Sequence, residues 1–246
     1  MQSSKLRIGI ISAEKSGDYL ASSFIESLKS SGRDFELFGI GGKELDNFNI
    51  SRPQDFDREI LNVMGIIDPL KNLRQILRAR KQILDFLISK NINIFIGVDS
   101  PDLNSFFHKN LKKINSTINF QIVSPSVWAW RSGRVKQLRK FVDTTFCLFK
   151  FEHEYLKKNN VNSFHVGHPF QDIEKVEDVS SIKNRYGIKN DSECLTFLVG
   201  SRRSEISNML PIYKKVIKKV YENNKSYSFL FPVVNQDHKN IIQAEL

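Results

Sequence analysis

Apolar runs of strand length alternate with segments of helical spacing along most of the 246-residue chain. Leu6–Ser12, Phe35–Ile40, Ile92–Val98, Ile118–Val123, Thr144–Leu148 and Phe164–Val166 read as strands. Tyr19–Leu28, Leu70–Ile88, Leu103–Ile114, Val135–Phe141 and Glu152–Lys158 read as helices between them. Several strands are continuously apolar, as a sheet covered on both faces requires. Strand alternating with helix predicts a parallel α/β sheet. A polar, charged stretch over residues 172–190 reads as a linker between a first domain, 1–171, and a second unit, 191–246. In that unit the rhythm restarts: Leu195–Val199 as strand, Ile206–Glu222 as helix, Tyr227–Val234 as strand. One strand–helix–strand unit cannot bury a sheet on both faces, so the second unit reads as incomplete.

Within the Leu70–Ile88 helix, Leu70, Leu73, Ile76, Leu77, Leu84 and Leu87 share one side, and Lys71, Arg74, Arg78 and Lys81 another. That pattern fits a core-packed helix with a solvated basic face, and it also fits a helix lying on an anionic bilayer.

Composition narrows the class. The formal charge of +10 points to anionic partners, but no nucleic-acid motif or basic tail accompanies it. Cys147 and Cys194 sit in separate apolar runs and read as buried free thiols without metal spacing. The N-terminus does not read as a secretory signal, and no run reaches the ~20 apolar residues that cross a bilayer. A cytoplasmic protein touching a membrane from that side is expected.

Five segments carry candidate chemistry. Ser12-Ala13-Glu14-Lys15-Ser16-Gly17-Asp18 follows the first strand, where small Ser16 and Gly17 let backbone N–H groups approach a phosphate. A plain helix start, with Ser16 as N-cap, accounts for the same residues. In Gly97-Val98-Asp99-Ser100-Pro101-Asp102, Asp99 stands at a strand end, where a general base is useful, and Asp102 suits a helix start. In Val123 through Arg131, Ser124 and Ser126 offer hydroxyls, Trp128 and Trp130 an apolar wall, and Arg131 a charge. That edge suits a partner both greasy and anionic, and a core tryptophan pair is the plainer reading. His168, in Gly167-His168-Pro169, is either a ligand-facing donor or a satisfied turn residue. Gly200-Ser201-Arg202-Arg203-Ser204-Glu205 repeats the strand–glycine–helix logic with an arginine suited to a diphosphate, or forms a surface turn.

In order along the chain, Ala13 to Asp18, Val63-Met64-Gly65, Gly97 to Asp102, Val123 to Arg131, Phe151-Glu152, Gly167-His168, Gly200-Ser201-Arg202 with Glu205, and Pro232 to Asn235 resemble lipid-A-disaccharide synthase. Ala13, Val199 and Lys150 stand where that family has Gly, Pro and Pro. The resemblance implies a GT-B fold of two Rossmann-like domains, here a complete acceptor-side domain and the start of the donor domain. It implies inverting transfer of 2,3-diacylglucosamine from its UDP derivative to 2,3-diacylglucosamine 1-phosphate, with UDP released and no metal or other cofactor. It marks Asp99 and Glu14 as catalytic. It marks Ser16, Gly17, Met64, Ser126, Trp128, Trp130, Arg131, His168, Arg202 and Glu205 as substrate-binding. It further implies a peripheral position on the inner membrane and either a homodimer or a C-terminal half supplied separately. The competing expectations are another UDP-sugar transferase or epimerase of the same fold, and a non-catalytic lipid-binding module.

Overall fold

A computed structural model describes residues 5–54, 73–114, 117–127, 133–172, 178–201, 203–223 and 226–246. Two compact units result, Met1–Ile173 and Glu174–Leu246.

The first unit holds six parallel strands: β1 (Leu6–Ser12), β2 (Phe35–Ile40), β3 (Ile94–Val98), β4 (Ile118–Ile122), β5 (Thr144–Cys147) and β6 (Ser163–His165). Their spatial order is β2-β1-β3-β4-β5-β6. The connecting helices are α1 (Lys15–Ser30), α2 (Lys43–Asp46), α3 (Leu73–Ser89), α4 (Pro101–Ile114), α5 (Gly133–Phe141) and α6 (Lys150–Lys158). A 3-10 turn follows β6 at Pro169–Asp172. The continuous apolar strands feed two cores. Ile11 and Phe95 pack with Ile83, Leu87, Phe107 and Leu111 of α3 and α4. Ile8, Ile10, Ile96 and Val98 pack on the other face with Ala21 and Ile25 of α1. Period-two alternation thus sends neighbours such as Phe95 and Ile96 into opposite cores, each fully buried large side chain contributing roughly 1.5–3 kcal/mol.

Most of the expected elements are present with shifted ends, and α2 is an addition to them. In α3, Ile76, Ile83, Leu84 and Leu87 are buried and Arg74, Arg78 and Lys81 exposed, which favours the core-packed reading. Leu77 departs from that expectation: it is half exposed, because the buried stripe passes through Ile76 and Ile83 instead. Leu70 and Lys71 lie outside the described residues. No helix among them is long and apolar enough to cross a membrane.

In the second unit, α7 (Val179–Arg185), β7 (Glu193–Thr196), α8 (Arg203–Asn223), β8 (Tyr227–Leu230) and α9 (Gln236–Glu245) follow one another. The stretch read as a linker is therefore not irregular throughout, since Asp178 caps α7 by accepting from the Ser180 N–H (2.9 Å). β7 and β8 pair in parallel. Neither holds a fully buried residue, because two strands and two longer helices cover the sheet too little. That overturns one expectation: Cys147 is buried, but Cys194, on β7, is exposed. β8 also ends four residues before Val234, where Pro232 has no N–H to donate to a ladder.

Candidate active site

The strand order defines where a ligand belongs. From β1 the chain moves outward to β2, then crosses back to β3 on the other side of β1. Ligands of open parallel sheets bind at this reversal, beyond the carboxyl ends of the two strands. Ser12 and Val98, the last residues of β1 and β3, are direct register partners there. Glu14 follows one and Asp99 the other, so the two catalytic candidates flank a single crevice, both half-buried.

Helix α1 starts close to that crevice because its third residue lacks a side chain. A Cβ on Gly17 would lie 2.9 Å from Ser12 Oγ and 3.6 Å from Asp99 Cβ. Glu14, rather than Ser16, is the N-cap, and its side chain makes no capping bond. Ser16 is instead a solvent-exposed residue of the first turn. Asp18 is spent structurally. Its buried carboxylate accepts from the N–H groups of Gly42 (2.7 Å) and Glu44 (2.9 Å), tying α1 to the start of α2. Asp18→Ala is expected to cost roughly 2 kcal/mol, since it strands two backbone donors, and the urea midpoint measures it.

Beyond β3 the backbone turns sharply. Asp99 (φ 49°) and Ser100 (φ 38°) are successive left-handed residues, and Val123 (φ 71°) repeats the conformation after β4. Each such non-glycine residue costs roughly 1–2 kcal/mol. Three buried polar side chains lie beneath this turn. Asn104 of α4 donates from Nδ2 to the Asp99 carbonyl (2.8 Å) and the Val98 carbonyl (3.2 Å). Gln121 of β4 donates from Nε2 to the carbonyls of Asp99 (3.1 Å), Ile122 (3.1 Å) and Val123 (3.3 Å). His108 of α4 meets Gln121 Oε1 at 2.9 Å, and because that oxygen only accepts, His108 Nε2 carries the proton.

Burial lowers the His108 pKa from 6.5 to about 4, against smaller opposing effects of the Gln121 hydrogen bond and the Asp143 charge. The ring is neutral near pH 7. Unfolded chains take up its proton first, so stability is full above pH 6.5, falls as the pH drops toward 4, and levels below. The loss is on the order of 3 kcal/mol. His108→Gln, which cannot titrate, is expected to flatten this part of the acid limb in urea titrations at pH 7 and 4.5.

The loop after β4 carries Ser126, which is exposed, and Val127, which is buried. Trp128, Trp130 and Arg131 lie outside the described residues, as do Met64 and Arg202. Just beyond, Arg134 pairs with Asp102 (2.5 Å), so Asp102 links α5 to the first turn of α4.

His168 stands after the far edge strand, yet the turn behind it folds back. Its Nδ1 accepts from the Phe170 N–H (3.1 Å), as a satisfied turn residue would. Its ring meets Phe170 (4.7 Å between centroids), and Phe170 meets Tyr19 of α1 (5.4 Å). On the other side it approaches Phe149 (6.3 Å), which stacks on Phe151 (5.8 Å). Glu152 is buried beneath this row and accepts from the Phe149 N–H (3.2 Å) to cap α6. Burial pushes its carboxyl above the usual range, partly offset by backbone donors at Phe149 and Leu148. In the second unit, Glu205 Oε2 accepts from the Ser201 N–H (2.8 Å), beside Gly200 at φ 101°. A Cβ there would lie 2.5 Å from that of Glu205, so this glycine is obligatory. Among the described residues, no three His, Cys, Asp or Glu side chains group as metal ligands.

The sequence reading missed Asn104, His108 and Gln121, and it missed the aromatic row. A signal existed for Gln121: Asn119 and Gln121 interrupt an apolar strand buried on both faces, where polar residues need partners.

A parallel α/β sheet, followed by a second strand–helix–strand unit, is a Rossmann-like arrangement. Two solved structures share it. A glycosyltransferase from Rickettsia africae ESF-5 matches with a TM-score of 0.54 at 13% identity, over 97% of this chain and 71% of that one. UDP-GlcNAc 2-epimerase from Neisseria meningitidis, bound to UDP-GlcNAc, matches at 0.51 and 15%, over 98% and 69%. The chain belongs to the lipid-A-disaccharide synthetase family, whose profile matches residues 8–246. It is 33% identical to the lipid-A-disaccharide synthase of Acinetobacter baylyi over 97% of its own length and 60% of the relative's. With that of Hydrogenovibrio crunogenus it shares 36%, over 96% and 62%. The chain thus spans about three fifths of these relatives.

Proposed function

We propose that this chain supplies the acceptor half of an inverting lipid-A-disaccharide synthase. The observation that carries the proposal is the approach of Gly17, at the start of α1, to Asp99 across the β1–β3 crevice. In this reading the acceptor is 2,3-diacylglucosamine 1-phosphate, and its 6-hydroxyl attacks the anomeric carbon of UDP-2,3-diacylglucosamine. Asp99 takes the hydroxyl proton as the new bond forms, and the bond to UDP breaks. Glu14 and the Ser16–Gly17 backbone shape the acceptor's polar end. Ser126, Trp128, Trp130 and Arg131 receive its acyl and phosphate groups, and Met64 and His168 lie along the same substrate. The second unit contributes to the donor, with Arg202 on the diphosphate and Glu205 ordering that loop through Ser201. The partner of the chain's excess positive charge is the anionic inner-membrane surface, where both lipids reside.

The test is UDP release by the chain given both lipids. Release that requires the acylated donor and acceptor together supports the proposal. Conversion of a non-acylated UDP-sugar without any acceptor would assign the chain to the epimerases instead.

A further inference from the structure

We infer that Gln121, His108 and Asn104 are positioning residues for Asp99, a buried relay that holds the catalytic turn in its left-handed form. The inference rests on the assignment of Asp99 as general base and names what aims that base.

Asp99 and Ser100 both occupy a backbone region that side-chain-bearing residues disfavour, and such a turn persists only when its surroundings over-determine it. Here the Asp99 carbonyl takes two buried amide donors, Asn104 Nδ2 at 2.8 Å and Gln121 Nε2 at 3.1 Å, which occupy both lone pairs. Rotating the turn toward ordinary backbone would swing this oxygen off its donors.

The Gln121 amide would lose its role if it flipped, because its oxygen would then face three carbonyls. The His108 Nε2–H prevents that by occupying Oε1. Space for the relay comes from Gly97, where a Cβ would lie 2.8 Å from Asn104 Cγ and 2.9 Å from Gln121 Oε1.

Stability alone does not account for these residues. All three are essentially inaccessible to solvent. Asn104 Oδ1 and His108 Nδ1 have no hydrogen-bond partner among the described residues. Burying incompletely satisfied polar groups at a helix–sheet seam is unfavourable, and apolar side chains of similar volume would serve the core better. The relay serves the carbonyls of Val98, Asp99, Ile122 and Val123, and among these the carbonyl of the candidate base alone receives both Asn104 and Gln121.

The experiment compares three variants of the full chain. His108→Gln keeps a donor nitrogen at the Nε2 position and is expected to match wild type. His108→Leu leaves Gln121 Oε1 unsatisfied. The double variant His108→Leu/Gln121→Leu removes the facing pair together, and the Asp99 and Ile122 carbonyls keep donors in Asn104 Nδ2 and the Asp99 N–H, so it is expected to stay folded. In both leucine variants turnover is expected to fall at least tenfold with KM changed less than twofold. Their Asp99 and Ser100 amides are expected to gain millisecond exchange broadening in 15N relaxation dispersion, absent from wild type and His108→Gln. The relaxation measurement needs no turnover and decides the matter if the chain acts only with added donor-half protein.

A folded double variant with wild-type turnover and quiet Asp99 and Ser100 amides would overturn the inference, as would equal losses in His108→Gln and His108→Leu. Asp99→Asn separates the two layers. If that variant is inactive while the leucine variants are normal, only the relay is wrong. If Asp99→Asn turns over normally, the base assignment falls and the relay's catalytic role with it.

Discussion

Replacing Asp99 by Asn is expected to lower turnover by about 10²–10⁴-fold, with little change in fold or substrate KM. Asparagine is the informative substitution because it shares with aspartate a tolerance for left-handed backbone. It preserves the turn at φ 49° and removes only the group that accepts a proton. Alanine would confound lost basicity with relaxed backbone strain. The neighbouring carboxylates do not substitute: Asp102 pairs with Arg134, and Asp18 is committed to the N–H groups of Gly42 and Glu44. Glu14 flanks the same crevice, so Glu14→Gln is the companion variant. Residual activity that disappears only in the double variant would divide the proton transfer between them. Initial rates of UDP release, measured with the urea midpoint of each variant, check the outcome.

Gly39→Ala is expected to produce the largest stability loss in the first unit. Gly39 pairs with Ile10 between β2 and β1 at φ 135°, a conformation few side chains adopt. A Cβ built there would lie 1.9 Å from the Ile10 carbonyl oxygen. Backbone atoms of a central strand cannot yield as the tip of a flexible side chain can, so β2 must leave its register. A loss above about 4 kcal/mol follows, a large share of the 5–15 kcal/mol that typically holds a domain folded. Gly32→Ala is the control. It too has positive φ (73°), but nothing lies within 4 Å of the added carbon, so only the backbone cost of roughly 1–2 kcal/mol remains. Equal urea midpoints for the two variants would contradict this account of β2.

These two predictions mark what could be read from the chain before its structure and what could not. Continuous apolar runs such as Ile94–Val98 are legible because a strand buried on both faces leaves no polar positions to confuse the pattern. The position of Asp99 was legible because a carboxylate following such a strand interrupts its apolar run. The relay beneath it was not. Asn104 and His108 lie on a helix and Gln121 on the next strand, and only the packing of α4 against β4 brings Asn104 and Gln121 to the Asp99 carbonyl and His108 to Gln121. The aromatic row was equally hidden, since Tyr19, Phe149 and Phe170 are far apart in sequence and meet only where the turn after β6 folds back to α1. Ser16 shows the reverse error. It looked like an N-cap by residue type, but the close approach permitted by Gly17 lets the helix begin two residues earlier, with Glu14 at the cap.

In the proposed reaction this chain belongs to a machine that joins two acylated glucosamines, with Asp99 taking the acceptor's proton. Mass analysis of the products from UDP-2,3-diacylglucosamine and 2,3-diacylglucosamine 1-phosphate tests it most directly, using the chain alone and with the C-terminal portion of a longer relative added. The account predicts a β-1,6-linked disaccharide 1-phosphate and UDP in equal amounts, both lost in Asp99→Asn. Tight binding of the acylated acceptor without any disaccharide, under both conditions, would contradict it and make the chain a lipid-binding module.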